Sequence, residues 1–333
     1  MDFSNSGVSR MPGQDLSTAV RICVSCQRCF YSNVQFCPDC LIELVSHELI
    51  PRVIESRYRL ERVLSSGDYG TAFIARDVHS LNDVVVKVIR AGAIADPQVQ
   101  DRFMREAQLA AQLSHPQIGA FYDFGMLPDA SAWVVMEMAP VESLRQVMQR
   151  VGVMNSDQAV ALLAEIASAL EVAHRAGLIH RNLKPECIAV LPTESGKPQI
   201  KIYDFALAVI VGGSPARRMD AASHSANRGA ELLTYASPAM LRGEEADPQS
   251  DIYSLGVIAY ELLTGRPPFT ARKESELRAK QLNETPPSLR RINPEIHLLL
   301  DAAIMKALAR ESFQRQQTAA EFRRDLLRAT NIG

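Results

Sequence analysis

The text of the chain changes period near residue 140, and that change limits the folds open to it more than any other feature. Before it come short runs that alternate polar and apolar residues or are rich in Val and Ile. They are Tyr58 to Leu64, Thr71 to Ala75, Val84 to Ile89 and Trp133 to Glu137, and such runs predict strands. One helical stretch interrupts them: behind Pro97, residues Phe103, Ala107, Ala110 and Leu113 recur at three- or four-residue steps. Beyond residue 140 the helical period dominates. Asn155 and Ser156 can cap a long helix with Val160, Leu163, Ile166, Leu170 and Ala173 on one face, closed by Gly177. Ile252 to Thr264 is nearly all apolar, which predicts a buried helix ended by Gly265 and Pro267. A last helix is predicted over Ala319 to Arg328. A β-rich part followed by an α-rich part is an α+β order, not a doubly wound one.

The chain has 333 residues, enough for a two-lobed domain and an appendage. Composition shifts suggest a polar, disordered tail over 1–20, a cysteine cluster over 21–45, a linker over 46–56 and a globular region over 57–330. The formal net charge is −2, so no global attraction to nucleic acid is expected. No run approaches the roughly 18 apolar residues of a membrane span. The N-terminal text lacks the apolar core of a secretory signal. The cytoplasm is the expected compartment.

Five of the six cysteines fall between Cys23 and Cys40. Cys23-Val-Ser-Cys26 and Cys37-Pro-Asp-Cys40 form two Cys-x-x-Cys pairs ten residues apart. In a chain without an export signal such pairs favour a metal over disulfides. Four thiolates suit tetrahedral Zn²⁺, and about 25 residues cannot bury enough surface to fold without it. Spacing alone also allows Cys26 and Cys29 to act with Cys37 and Cys40. The cluster resembles zinc ribbons in which the second pair follows Phe as Phe-Cys-Pro, as in Phe36-Cys37-Pro38. That resemblance favours Cys23, Cys26, Cys37 and Cys40 as the zinc ligands, with Cys29 left over.

Between two predicted strands lies Leu64-Ser-Ser-Gly67-Asp-Tyr-Gly70-Thr-Ala, with Lys87 on the next strand. Glycines let backbone N–H groups approach phosphates, and a lysine can neutralise them. By itself the pattern also describes an ordinary hairpin turn. Its weight comes from the order of residues downstream: Glu106, Ser114-His-Pro116, Met136-Glu-Met138, His180-Arg-Asn-Leu-Lys-Pro-Glu-Cys187, Asp204-Phe-Ala206, Ser237-Pro-Ala239, Asp251-Ile-Tyr-Ser-Leu-Gly256 and Arg315.

In that order and spacing, residues 57–330 resemble a bacterial, eukaryotic-type Ser/Thr protein kinase domain. The resemblance implies a bilobal fold, with an N-lobe over 57–138 and a C-lobe over 139–330, that uses ATP and Mg²⁺. It implies that Lys87 contacts the α- and β-phosphates and pairs with Glu106, and that Asp204 holds Mg²⁺. Gly67 and Gly70 would cover the phosphates. Ala72, Val85 and Met136 would wall the adenine, which the backbone of Glu137 and Met138 would face. His180 and Asp251 are implied to be structural.

The chain departs from the family where the chemistry is done. The catalytic Asp position holds Asn182, an uncharged amide that cannot accept a hydroxyl proton. The metal-binding Asn position holds Cys187, a soft donor for a hard cation. Leu232 stands for the substrate-loop Thr, Ser65 for the first glycine of the loop and Ala206 for the glycine after Asp204-Phe205. Ala239 replaces the Glu that would pair with Arg315, so Arg315 should be solvated or re-paired. The expected function is a regulatory or scaffolding pseudokinase acting through protein partners, with no catalytic set intact. Two alternatives stand beside it: a low-activity Ser/Thr kinase, and a zinc-ribbon adaptor for a protein. In the activation-loop position, Arg217, Arg218, Ser214, Ser223 and Ser225 suggest a surface loop.

Overall fold

A computed structural model describes residues 19–67, 70–139, 142–192, 198–205 and 233–330. Most of the 1–20 tail, Ala206, the loop serines and arginines, and Leu232 lie outside the described residues. The chain forms two compact units, one ending at Val88 and one beginning at Ile89.

The first unit opens with β1 (Ala19–Ile22), β2 (Cys29–Phe30) and β3 (Val45–Pro51), in the order β2-β1-β3 with both pairings antiparallel. Residues 46–56 are therefore not a plain linker, because β3 and β4 (Val53–Ile54) occupy most of them. Residues 19–20 belong to β1 and not to a tail. The buried positions explain this: Val20, Leu44, Ile50, Val53 and Ile54 are all taken from solvent. They are scattered among polar residues such as Ser46, His47 and Glu48, so composition hides them.

β5 (Tyr58–Gly67), β6 (Gly70–Asp77) and β7 (Asp83–Ile89) continue the unit, in the order β4-β5-β6-β7. β5 and β6 form an antiparallel hairpin from Tyr58↔Asp77 to Gly67↔Gly70. The alternation read in the sequence holds at the start of β5, where Tyr58 and Leu60 are buried but Leu64 is exposed; β6 and β7 bury consecutive residues, Thr71 to Phe73 and Val84 to Val86. At the open end Arg57 donates to both Asp77 oxygens, at 3.0 and 2.8 Å. That guanidinium holds the Asp77 carboxyl far below the usual carboxylate range.

The second unit begins with α1 (Pro97–Gln112), whose start is fixed by Asp96 accepting from the Gln98 N–H and by Pro97 in the first turn. It buries Phe103, Ala107 and Ala110 of the predicted face and also Glu106, while Leu113, the fourth predicted position, is the half-buried C-cap. β8 (Phe121–Met126) and β9 (Ala132–Glu137) form an antiparallel hairpin. Helix α2 (Leu144–Val151) starts with a Ser143–Gln146 capping box, and α3 (Ser156–Arg175) starts at an Asn155 cap. A small ladder, β10 (Ile188–Leu191) with β11 (Gln199–Ile202), precedes the remaining α-helices among the described residues. These are α4 (Pro238–Arg242), α5 (Pro248–Thr264), α6 (Glu274–Asn283), α7 (Leu298–Ala307) and α8 (Ala319–Thr330).

Helix α5 is the axis of this unit. Asp247 caps it, and every residue from Ser250 to Tyr260 is buried. Gly265 closes it at φ 76°, a left-handed conformation that glycine adopts without a Cβ penalty. α3, α5 and α8 share one hydrophobic core through Leu163, Leu170, Leu255, Ile258, Phe322 and Leu326. Among the described residues no helix is long and apolar enough to cross a membrane.

Candidate nucleotide site and cysteine centre

The positions expected to handle nucleotide fall into two groups, one in each unit. In the first unit, β5 carries Ser65 and Ser66 and ends at Gly67, directly across from Gly70. A hairpin with glycine on both sides can present backbone N–H groups closely. Ala72 on β6 and Val85 on β7 are buried, and Lys87 on β7 is half-buried.

In the second unit, Met136 is buried at the end of β9. Glu137 follows it. Its N–H donates to the Ala120 carbonyl at 2.8 Å, so the adenine-facing role implied for its backbone would fall to its carbonyl. Its carboxylate pairs with Lys201 at 2.6 Å and accepts from the Ala120 N–H at 3.0 Å, so the side chain is committed to structure. Met138, next to it, is half-buried.

The loop from His180 to Cys187 is held from below by α5. The Asp251 carboxylate accepts from the His180 N–H, the Arg181 N–H and His174 Nε2, each at 2.8 Å. Burial works against its charge, but these donors outweigh burial and keep the carboxyl below its ordinary range. Burial likewise lowers the His180 pKa, opposed by the Asp251 charge. A neutral His180 donates through Nε2 to the Tyr203 carbonyl at 2.8 Å and packs on Phe205, with ring centroids 4.7 Å apart. The structural roles implied for His180 and Asp251 are the ones this geometry supplies. No motif marks His174, and its one signal in the sequence is its place in the last turn of α3.

Asp204 is carried by the segment after β11. The Ile202 N–H donates to Gln117 and the Gly119 N–H to Ile202, at 2.9 and 2.8 Å. Gly119 must lack a side chain, because a Cβ there would lie 2.3 Å from the Tyr203 ring. Asp204 itself sits at φ 71°, a left-handed conformation that Asp tolerates better than most residues. The buried Cys187 thiol lies 3.7 Å from the Asn182 carbonyl and 3.9 Å from Asp204 Oδ2. The three reaction-centre positions Asn182, Cys187 and Asp204 are thus gathered at one place. One carboxylate suits a single Mg²⁺; a thiol directed at that carboxylate supplies no second hard donor.

Three ion pairs, one on Glu106 and two on Arg145, were not legible in the sequence. Glu106 on α1 is engaged by the Arg181 guanidinium, with both side chains largely buried. Burial pushes the Glu106 carboxyl up in spite of that partner. Arg145 binds Glu261 and Glu186, each at 2.8 Å, and also the Tyr235 hydroxyl. Arg315 is 2% exposed and is re-paired, not solvated. It donates to the carbonyls of Ala309, Gln249 and Arg310 at 2.8, 3.0 and 2.8 Å and lies over the Tyr253 ring.

In the first unit the sulfurs of Cys23, Cys26, Cys37 and Cys40 all lie within 4.8 Å of one another. Zn–S bonds of about 2.3 Å set tetrahedral S···S edges of about 3.8 Å, and Cys26 and Cys37 stand 3.7 Å apart. The donor set therefore fits Zn²⁺. The N–H groups of Cys26 and Ser25 lower the Cys23 thiol to about 7. For Cys40 a hydrogen bond with Ser25 favours the thiolate, but Cys26, burial and the other thiols push it up to about 12. Four thiols this close need a cation before all of them can ionise. Cys29 stands apart: it pairs with Ile22 between β2 and β1, and burial pushes its thiol up to about 12.

The family model for the protein kinase domain matches residues 58–329. The chain belongs to the protein kinase domain family, with the β-rich N-lobe and helical C-lobe of that fold. Serine/threonine-protein kinase PknB of Mycobacterium leprae is 36% identical over 281 residues, which cover 84% of this chain and 44% of that protein. Serine/threonine-protein kinase pkn3 of Myxococcus xanthus is 33% identical, over 84% of this chain and 51% of its own length. The chain thus spans about half the length of these curated relatives. The Mycobacterium tuberculosis PknI kinase domain shares the fold, with TM-score 0.65 and 24% identity over 84% of this chain and 98% of that one. The cysteine centre precedes the residues that the family model matches.

Proposed function

We propose that this member of the Ser/Thr kinase family is a pseudokinase: a regulatory or scaffolding protein that retains nucleotide-site architecture and carries out negligible phosphoryl transfer. The observation that carries this reading is the cluster of Asn182, Cys187 and Asp204. An amide holds the position of the general base, and the buried Cys187 thiol lies 3.7 Å from the Asn182 backbone carbonyl and 3.9 Å from the Asp204 carboxylate. A missing general base costs about 10²–10⁴ in rate. The absent second metal ligand acts on the same step, so the two losses are not summed.

Binding uses contacts distinct from chemistry. The kept positions of each unit support ATP binding: Gly67, Gly70, Ala72, Val85 and Lys87 in the first, and Met136, the backbone carbonyl of Glu137 and Asp204, which would hold one Mg²⁺, in the second. A thermal shift series tests this part: ATP should raise Tm, and a Lys87→Ala variant should lose the rise. An unchanged Tm at millimolar ATP contradicts nucleotide binding.

The four-cysteine centre is proposed to hold structural Zn²⁺ through Cys23, Cys26, Cys37 and Cys40. Six cysteines with no disulfide among them suit a reducing compartment such as the cytoplasm. A specific observation favours a protein partner at this ribbon: Val24, Phe36 and Leu41 are 56, 56 and 80% exposed within a short stretch.

A further inference from the structure

The cysteine centre and the strand that leads to the glycine turn are one hydrogen-bonded piece. Gln27 directly follows the ligand Cys26 and sits at φ 63°. In that conformation its carbonyl accepts from the Val63 N–H of β5 at 2.8 Å, and Arg28 bridges antiparallel to Arg62. The knuckle itself holds Gln27 in place. The Gln27 N–H donates to the Cys23 carbonyl at 2.8 Å, the Cys23 N–H donates to the Arg28 carbonyl at 3.0 Å, and the Gln27 side chain donates to Val24 at 2.9 Å.

Arg52 closes the contact from the side. Its guanidinium lies 5.4 Å from the Tyr31 ring centroid and 3.1 Å from Glu61, and its carbonyl accepts from the Leu60 N–H at 2.9 Å. Two further nitrogens of this buried guanidinium have no partner among the described residues. Arg52 is therefore held here by packing between the ribbon and β5, not by a full set of bonds. Two residues past Val63, β5 reaches Ser65, and then runs to Gly67 paired with Gly70.

We propose that the metal held by the four cysteines is a clamp on β5, so that filling the site orders the strand carrying the glycine turn and emptying it releases that strand. The physical basis is that a ribbon of this size gains its fold from metal binding. Without the metal, the turn at Gln27 and Arg28 loses what fixes it, and Val63 loses its acceptor. The clamp rests on the metal reading above, and the two fail separately in the test.

The test uses the full chain and cobalt(II) as the probe metal, with thiolate charge-transfer bands reporting occupancy. Hydrogen exchange is read at Val63, at Thr71 across from Ser66 on β6, and at Leu170 of α3 as reference. Stripping the metal with a chelator should speed exchange at Val63 and Thr71 by about tenfold and leave Leu170 unchanged. Cys37→Ser should behave like the stripped protein, and Cys29→Ser should keep both the bands and the slow exchange. Full cobalt bands with exchange at Val63 indifferent to metal overturn the clamp and leave the metal site standing. Absence of thiolate bands overturns both. Equal acceleration at Leu170 overturns the clamp as a local device.

Discussion

At the scale of single residues, the chain departs from the kinase pattern in different ways at Asn182, Cys187 and Ala239. Asn182 keeps nearly the shape of the carboxylate it replaces but not its charge. Cys187 keeps neither the oxygen nor the second donor of an amide, and its thiol turns to Asp204. Restoring both, as Asn182→Asp with Cys187→Asn, should raise phosphoryl transfer by about 10²–10⁴ over the parent protein, measured as radiolabel incorporated into a generic Ser/Thr substrate. No increase would mean that the limit lies elsewhere, for example at Leu232. With Ala239 in place of its carboxylate partner, Arg315 has two options on sequence grounds, solvation or re-pairing. The structure chooses re-pairing, because three backbone carbonyls and the Tyr253 ring surround it. Arg315→Ala removes three hydrogen bonds, at about 1 kcal/mol each, and should lower unfolding stability by about 3 kcal/mol in urea titrations. Backbone carbonyls leave no trace in a residue string, which is why these partners could not be read from it.

At the scale of elements, long periodic segments were legible and short ones were not. The spacing behind Pro97 marks the buried face of α1, and the apolar run before Gly265 marks α5 with its end. Strands of two to seven residues in the cysteine region were missed, because one or two buried side chains do not make a period. The pairing of Glu106 with Arg181 joins residues 75 apart and depends on tertiary placement alone. The anchoring of the His180 loop to α5 has a pH consequence. Burial depresses the pKa of His180 in the folded state, so its contribution to stability is present above about pH 6.5 and is lost as pH falls toward the folded value. The urea midpoint should therefore drop between pH 7.5 and 5.5. In His180→Gln the drop should be smaller. Glu106, with its raised pKa, acts with the opposite sign, so the difference between the two proteins isolates His180.

At the scale of the whole molecule, the sequence motifs named the kinase family, and the fold and the comparisons bear that out. What they left open is how much chemistry the fold still performs. Structural groups such as Asp251 are kept with full hydrogen bonding, whereas the positions that would move a proton and hold a second metal are replaced. The pseudokinase proposal rests on that contrast. The direct test is γ-phosphoryl transfer from radiolabelled ATP by the purified chain, to itself and to a generic protein substrate, beside Lys87→Ala. The account predicts incorporation no greater than that of the Lys87→Ala control; turnover that depends on Lys87 would contradict it.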